Sequence, residues 1–241
     1  MDVQLLAGLN AARAARQPCV VVTELADGSS RLVQPDELAK APLAGTALSE
    51  AIGEGLRSGR SAMVEIDGKQ LFLAVQVPPV KLVVIGAVHI SQALAPMAAQ
   101  VGFEMIVVDP RTAFASPERF PDVRVLAEWP DIALPTLGID AYTAFIVLTH
   151  DPKIDDPGIS HALERNCFYI GALGSSRTHK KRAERMRAAG YTEEQIGRIH
   201  APIGLNIGAI SPAEIAVSIL SQIIATLRAE RVAAKAAKAA A

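Results

Sequence analysis

The sequence has few cysteines, few aromatic residues and no excess of charge of either sign. Its 241 residues include two cysteines, and 4% of them are aromatic. Cys19 and Cys167 have no metal-type spacing to each other or to a histidine, and a disulfide framework needs more of them, so both are expected to be buried thiols in a reducing compartment. The 24 basic and 25 acidic side chains nearly cancel. This balance argues against a general nucleic-acid-binding protein, which needs excess positive charge.

Several segments and motifs that define other classes of protein are also missing. No run of about 18 consecutive apolar residues occurs, so no membrane helix is expected. The acidic start, Met1-Asp2, lacks the pattern of a signal peptide. Neither the Gly-x-Ser-x-Gly elbow of the α/β hydrolases nor the P-loop pattern is present, and spacing places no complete set of metal ligands. We therefore expect a cytoplasmic protein without a metal site of its own that binds neither membranes nor nucleic acid.

Two segments of different pattern meet at Pro78-Pro79, which interrupts any strand or helix. Before this point, short helices and two hairpins are predicted, the second with Asp67-Gly68 as its turn. After it, apolar runs typical of strands buried on both faces alternate with helices. The predicted strands are Lys81–Ile85, Glu104–Val108, Val123–Leu126, Phe145–Leu148 and Cys167–Ile170. We predict a small α+β domain over 1–78 and an α/β domain with a parallel sheet over 79–241, with residues 232–241 as an exposed extension.

Candidate ligand-binding residues follow the first two strands of that sheet. Gly86 and His89 come after the first strand, and Asp109 and Arg111 come after the second. Open α/β sheets bind ligands at the carboxyl ends of their strands, so these residues are expected at one edge. There Asp109 could accept hydrogen bonds from hydroxyl groups and Arg111 could bind a phosphate. In the alternative interpretation the two pair with each other at the surface, and His89 is structural.

The turn after the first strand has only part of a dinucleotide-binding fingerprint. That pattern needs glycine at three positions, and here only Gly86 is present, with Val88 and Ser91 at the other two. A valine side chain would crowd a pyrophosphate at the second position. The sequence leaves open whether this turn binds a ligand or is an ordinary strand-to-helix connection.

Three polar residues, Thr149, His150 and Asp151, follow the fourth predicted strand. They are expected at the same edge of the sheet, where His150 could bind or position a ligand. A solvated loop is the alternative. Asp155 and Asp156, just beyond, are expected to cap the next helix rather than to form a pair of catalytic carboxylates.

The segment after the fifth strand combines glycines, hydroxyls and a basic helix. Gly171 and Gly174 permit a tight backbone, and Ser175 provides a helix cap. Arg177 lies in the first turn of the helix, where backbone amides, the helix dipole and a guanidinium together would hold a phosphate. The cations that follow, from Lys180 to Arg187, are expected to face solvent.

Four segments, in order, resemble the xanthine dehydrogenase accessory factor family of the XdhC/CoxF type. They are Val107-Val108-Asp109-Pro110-Arg111 with Phe114-Ala115 and Glu118-Arg119-Phe120-Pro121, Val147-Leu148-Thr149-His150-Asp151-Pro152-Lys153, Tyr169-Ile170-Gly171-Ala172-Leu173-Gly174-Ser175, and residues 199–208 with Pro212-Ala213-Glu214-Ile215-Ala216. No single motif is conclusive, but the ordered set is specific and spans the region from about Val80 to Arg228.

The resemblance implies a Rossmann-like domain behind a smaller N-terminal XdhC/CoxI-like domain. It also implies a chaperone that binds molybdenum cofactor, as molybdopterin or its cytosine dinucleotide, supports its sulfuration with a cysteine desulfurase, and inserts it into a xanthine or carbon monoxide dehydrogenase-type apo-enzyme. A homodimer is compatible with the family. The expected cofactor-binding residues are Gly86, His89, Asp109, Arg111, Thr149, His150, Asp151, Gly171, Gly174, Ser175 and Arg177, with no catalytic residue assigned.

Two departures from the family pattern keep other functions open. The family has Gly-Ala-Gly-His at the first turn, where this chain has Gly86-Ala87-Val88-His89, and residues 1–78 lack the Ser-Gly-Gly-Cys motif of longer members. Whether the chain is an enzyme is left undecided. An NAD(P)-dependent oxidoreductase and a non-catalytic interaction module are the alternatives to a chaperone.

Overall fold

The computed structural model describes residues 2–229, so the extension predicted over residues 232–241 lies outside the described residues. The chain divides into two compact units, one ending at Pro78 and one running from Pro79 to Leu227, with residues 228–229 grouped with the first. None of the helices within residues 2–229 has the length and apolar character needed to span a membrane.

The first unit is an antiparallel sheet with a helix on each face. Its elements are α1 (Val3–Ala14), β1 (Cys19–Glu24), β2 (Ser30–Val33), α2 (Ala47–Ser58), β3 (Ala62–Ile66) and β4 (Lys69–Gln76). The strand order is β2-β1-β4-β3. Alternate residues of β1 point to opposite faces, so Val20 and Val22 pack with Ile52 of α2, whereas Cys19 and Val21 pack with Leu9 of α1.

The second unit is a parallel sheet with helices on both faces. Its elements are β5 (Lys81–Ile85), α3 (His89–Gln100), β6 (Glu104–Val108), β7 (Arg124–Leu126), α4 (Pro130–Ala133), β8 (Thr143–Val147), α5 (Pro152–Glu164), β9 (Tyr169–Ala172), α6 (Ser176–Ala188), α7 (Glu193–Gly197), β10 (Ile199–His200) and α8 (Pro212–Leu227). The strand order is β10-β9-β8-β5-β6-β7, with every pair parallel.

This order is that of the Rossmann fold, in which the chain starts in the middle of the sheet and winds outward in both directions. The α/β fold with a Rossmann-like sheet, and the separate small N-terminal sheet, are therefore as predicted. The two directions diverge between β5 and β8, so the loops that leave those strands separate and open a crevice at the carboxyl edge. The residues that follow β5 and β8 are the ones that this topology makes available to a ligand.

The central strands are buried on both faces, which explains their unbroken apolar sequence. Val83 and Ile85 of β5 face one core layer with Ile159 of α5, while Leu82 and Val84 face the other layer. That second layer includes Leu94 of α3 and Ile219 of α8. Alternate side chains of a central strand thus pack into two different core layers. One layer packs α5 against the sheet, and the other packs α3 and α8 against its opposite face.

One strand and one helix were not predicted from the sequence. β10 has two residues and pairs with β9 through Ile199 and Ile170, and α4 has four residues. Neither is long enough to show a hydrophobic period. The sheet consequently has six strands where five were expected.

Candidate functional site

The turn between β5 and α3 is closed by the protein's own hydrogen bonds. Gly86 has a φ of 116°, and a Cβ there would lie 3.0 Å from the Thr149 methyl group, so only glycine fits this crossing of the two loops. The Ala87 amide donates to Asp109 Oδ2 at 2.8 Å, and the Val88 amide donates to Ser91 Oγ at 2.8 Å. Neither amide is therefore available to a pyrophosphate. His89 is exposed at the start of α3.

Asp109 and Arg111 pair with each other, as the alternative interpretation expected, but Asp109 is fully buried rather than at the surface. Asp109 Oδ1 accepts from the Arg111 amide and Nε, and Oδ2 accepts from Arg111 Nη2 at 2.7 Å and from the Ala87 amide. Burial alone would raise the pKa of the Asp109 carboxyl, but the hydrogen bonds from Arg111 and Ala87 outweigh it and hold that pKa below its usual value. All accepting positions of this carboxylate are occupied, so it acts on the turn, not on a ligand hydroxyl.

Arg119 is a positioning residue that the sequence motifs did not single out for a role. Its Nη1 donates to the carbonyls of Ala87 and Phe114 at 2.8 Å each, and its Nη2 donates to Gln92 Oε1 at 2.6 Å. The Arg111 guanidinium lies 4.3 Å from the centre of the Phe114 ring, a cation–π contact. The loop after β6 is thereby bonded to the β5 turn through Asp109 and through Arg119.

The turn between β8 and α5 is organised by a buried carboxylate. Asp155 Oδ1 accepts from Thr149 Oγ1 at 2.7 Å, and Asp155 Oδ2 accepts from the His150 amide at 3.1 Å. These bonds hold His150 at a φ of 63°, a conformation that non-glycine residues rarely adopt. Asp151 caps the helix by accepting from the Lys153 amide, so the expectation that Asp155 and Asp156 form the cap was wrong. Asp155 lies a turn further on and reaches back to the strand end.

The turn between β9 and α6 is tight at Gly174. Gly174 has a φ of 131°, and a Cβ would meet Thr178 at 3.0 Å. The turn brings Ser175 to the helix cap, where Ser175 Oγ accepts from the Thr178 amide at 3.2 Å. Gly171 has a different role, because a Cβ there would lie 2.6 Å from Ile203. Gly171 thus allows Ile203, in the loop after β10, to pack directly on the sheet, and Gly171 does not face the ligand-binding edge.

A cleft lies between the N-termini of α5 and α6, at the carboxyl ends of β8 and β9. Its volume is about 380 Å³, within the range of small-molecule sites. The lining residues are His150, Pro152, Asp155, Arg177, Thr178, Lys181, Arg182 and Arg185. Of the eleven expected binding residues, His150 and Arg177 line this cleft, and Gly174 and Ser175 form the turn beside it. Thr149 and Asp151 flank His150, and Gly171 packs against Ile203. Gly86, His89, Asp109 and Arg111 lie in the loops after β5 and β6.

Arg182 is buried in the wall of this cleft, so the expectation that the cations from Lys180 to Arg187 all face solvent was wrong at this residue. Its side chain is 2% exposed, and Nη2 donates to the Leu173 carbonyl at 3.1 Å. Nε and Nη1 have no hydrogen-bond partner within residues 2–229. Each buried donor left unpaired costs about 1–3 kcal/mol. The sequence carries a signal for this burial, since Arg182 lies four residues before Met186, on the core side of the helix.

Arg182 and Asp155 form a spaced pair in the cleft. Arg182 Nη2 lies 3.8 Å from Asp155 Oδ2, and Asp155 is 1% exposed. Burial raises the pKa of the Asp155 carboxyl and lowers that of the Arg182 guanidinium, in each case against the attraction of the other charge. Arg185 is engaged by a two-pronged contact with Asp156. The guanidinium groups of Arg182 and Arg185 are thus held in fixed positions by the protein itself.

Comparison with known proteins agrees with this fold. The XdhC Rossmann domain family matches residues 82–223, and the chain belongs to this family. It is 33% identical over 150 residues to a Bacillus subtilis protein whose name describes a probable subunit of xanthine dehydrogenase, covering 62% of this chain and 43% of that protein. It is 32% identical over 146 residues to the molybdenum cofactor insertion chaperone PaoD of Escherichia coli, covering 61% of this chain and 40% of that protein.

A solved structure shares the fold. A crystal structure described as a xanthine dehydrogenase from Bacillus halodurans superposes with a TM-score of 0.66 at 22% identity, covering 97% of this chain and 70% of that one. The chain therefore spans less than half the length of each of these two curated relatives and 70% of the length of the solved one.

Proposed function

We propose that this member of the XdhC family is a molybdenum cofactor-binding accessory protein. It protects the cofactor, supports its sulfuration and inserts it into a molybdenum hydroxylase of the xanthine or carbon monoxide dehydrogenase type. The names of the two curated relatives, one a cofactor insertion chaperone and one a probable subunit of xanthine dehydrogenase, support this role. The match covers the Rossmann-like unit, which carries the candidate site.

The observation that carries the proposal is the cationic cleft at the carboxyl edge of the sheet. Molybdopterin and its cytosine dinucleotide form are pterins that bear phosphate groups. Arg177, Lys181 and Arg182 line the cleft, and the start of α6 directs its positive dipole end toward it. Fixed positive charge at a helix start is suited to a phosphorylated cargo.

Holding and release are the chemistry that these residues support. His150 and Arg177 stand at the rim, where they can contact the cargo, while Asp155 fixes the backbone on which His150 sits. Protection follows from covering a labile cofactor, and handover follows when the apo-enzyme binds it more tightly than the cleft does. No bond of the cargo needs to be made or broken by this chain.

The test is the content of the purified protein. The full chain is purified from cells that make molybdenum cofactor, and from matched cells that cannot, and acid-released material is analysed for oxidised fluorescent pterin, molybdenum and CMP. Pterin and molybdenum in the first preparation and not in the second are expected. CMP released with them identifies the dinucleotide form. Absence of pterin from both preparations, together with substrate-dependent oxidation of NADPH, would refute the proposal in favour of an oxidoreductase.

The partners follow from the same proposal. A molybdenum hydroxylase apo-enzyme receives the cofactor, and a cysteine desulfurase supplies its sulfur. The chain itself forms a homodimer and meets both partners in the cytoplasm. Pull-down of each purified partner by the full chain tests the two interactions separately. The mass of the full chain in solution, measured by light scattering, tests whether it is a homodimer.

A further inference from the structure

We infer that the cleft between the starts of α5 and α6 is a phosphate site with the buried Arg182 as its central donor. This deepens the proposed function and rests on it only for the identity of the molecule that carries the phosphate. It places the charged end of the cargo away from the β5 turn, where a Rossmann fold usually binds its phosphates.

The unpaired nitrogens of Arg182 are the first observation. A guanidinium presents five N–H donors in a fixed plane, and a buried one is normally satisfied. Here Nη2 bonds to the Leu173 carbonyl, while Nε and Nη1 have no partner among residues 2–229. Each of these N–H groups can donate to an oxyanion. Arg182 therefore lines the cleft as a buried cation with donor capacity that the described residues do not use.

The charge balance of the lining is the second observation. Four cationic side chains face the cleft against one carboxylate, that of Asp155. Arg185 is neutralised by Asp156, and Asp155 stands 3.8 Å from Arg182. Arg177 and Lys181 make no ion pair with any described residue, so the lining keeps an excess of positive charge. A phosphate with one or two negative charges would balance it.

The β5 turn provides the contrast. Its Ala87 and Val88 amides are used by Asp109 and Ser91, and the Arg111 guanidinium is held on Asp109. At the start of α6, by contrast, Arg177 and Lys181 make no ion pair with a described residue. Of the two strand-to-helix turns, the one after β9 is the one prepared for an anion.

Titration of the full chain with inorganic phosphate and with pyrophosphate, by calorimetry and ³¹P NMR in low-salt buffer, tests the assignment. The matched pair is Lys181→Ala and Lys180→Ala, two neighbours on α6 of which only Lys181 lines the cleft. Lys181→Ala and Arg177→Ala should raise the dissociation constant about two- to fivefold, as expected for exposed charges. Lys180→Ala should leave it unchanged. Arg182→Gln should raise it about tenfold or more, because it removes a buried charged donor.

The outcomes separate the site from the function. Binding that weakens with Arg177→Ala and Lys181→Ala and not with Lys180→Ala supports the site even if Arg182→Gln fails to fold. Equal effects of both lysine variants, or no binding of either anion at millimolar concentration, would overturn it. Phosphate binding at the cleft without copurified pterin leaves the site standing and removes the proposed function. Copurified pterin that the Lys181→Ala and Lys180→Ala variants retain equally supports the proposed function and refutes the phosphate site.

Discussion

Replacing Asp109 by Asn tests the hydrogen-bond network that closes the β5 turn. The change keeps the shape of the side chain, removes its charge and turns one accepting atom into a donor. Each carboxylate oxygen of Asp109 accepts two hydrogen bonds, so the amide nitrogen of Asn must face two donors and both of those bonds are lost. A buried hydrogen bond broken in this way costs about 1–3 kcal/mol. The Arg111 side chain is 37% exposed, so its N–H groups can donate to water once the bond to residue 109 is lost. The loss of stability for the two bonds together is therefore expected in the lower part of the range, about 2–4 kcal/mol.

Urea unfolding followed by circular dichroism measures this loss of stability. A decrease of this size corresponds to a fall in Tm of roughly 5–15 °C for a unit of this length. Asp151→Asn is the matched control, since Asp151 is exposed and Asn caps a helix about as well as Asp. Its free energy of unfolding should stay within about 0.5 kcal/mol of the wild type.

The pH dependence gives an independent check. The pKa of Asp109 is lower in the folded chain than in the unfolded chain, so its contribution is present above the unfolded value of about 3.9 and is lost as the pH falls through the folded value. The difference between wild type and Asp109→Asn should be constant from neutral pH down to about 5 and shrink in more acidic solution. A variant as stable as Asp151→Asn at neutral pH, or a difference that does not shrink in acid, would refute the network.

Three further changes test other parts of the same unit. Gly174→Ala should destabilise the unit by about 1–3 kcal/mol, since φ is 131° and the added methyl lies 3.0 Å from the next helical turn; Gly190→Ala, also at positive φ but in open space, should cost less in the same urea assay. Gln222→Leu should cost about 2–4 kcal/mol, because Gln222 Oε1 accepts from both the Tyr169 hydroxyl and the Gly204 amide; a loss below that of an exposed glutamine variant would contradict this. Burial raises the pKa of the Cys167 thiol to about 12, so the native chain should not react with a thiol reagent at pH 8, whereas the unfolded chain should.

The secondary structure could be predicted wherever the signal was local. The Asp67-Gly68 turn lies between β3 and β4. The sequence also has two spacings typical of a capping box, Thr192 to Gln195 and Ser211 to Glu214, and the structure starts α7 and α8 there. Each signal works through hydrogen bonds between neighbouring residues, which sequence spacing displays directly. β10 was missed because its two residues are a strand only by virtue of β9 beside them.

The site residues were harder to predict because their roles depend on tertiary partners. Asp155 sits in a helix start, where a cap is the local expectation, yet its carboxylate is turned to Thr149 and His150. Arg182 belongs to a run of charges that indicates a solvated face, and only its spacing to Met186 indicates burial. The polar ends of the strands could be found from the sequence, whereas the partner that each side chain selects could not.

Ser91 explains how the chain keeps the fold while departing from the dinucleotide fingerprint. Where that pattern has its third glycine, the Ser91 hydroxyl accepts from the Val88 amide and lies 2.8 Å from the Gly86 carbonyl, to which it can donate. A serine thus satisfies a group that a phosphate oxygen would otherwise bind. Because the Ala87 and Val88 amides are already paired, this turn gains little from binding an anion. The β5 turn is therefore closed to an anion by its own hydrogen bonds, whereas the buried unpaired donors of Arg182 lie in α6.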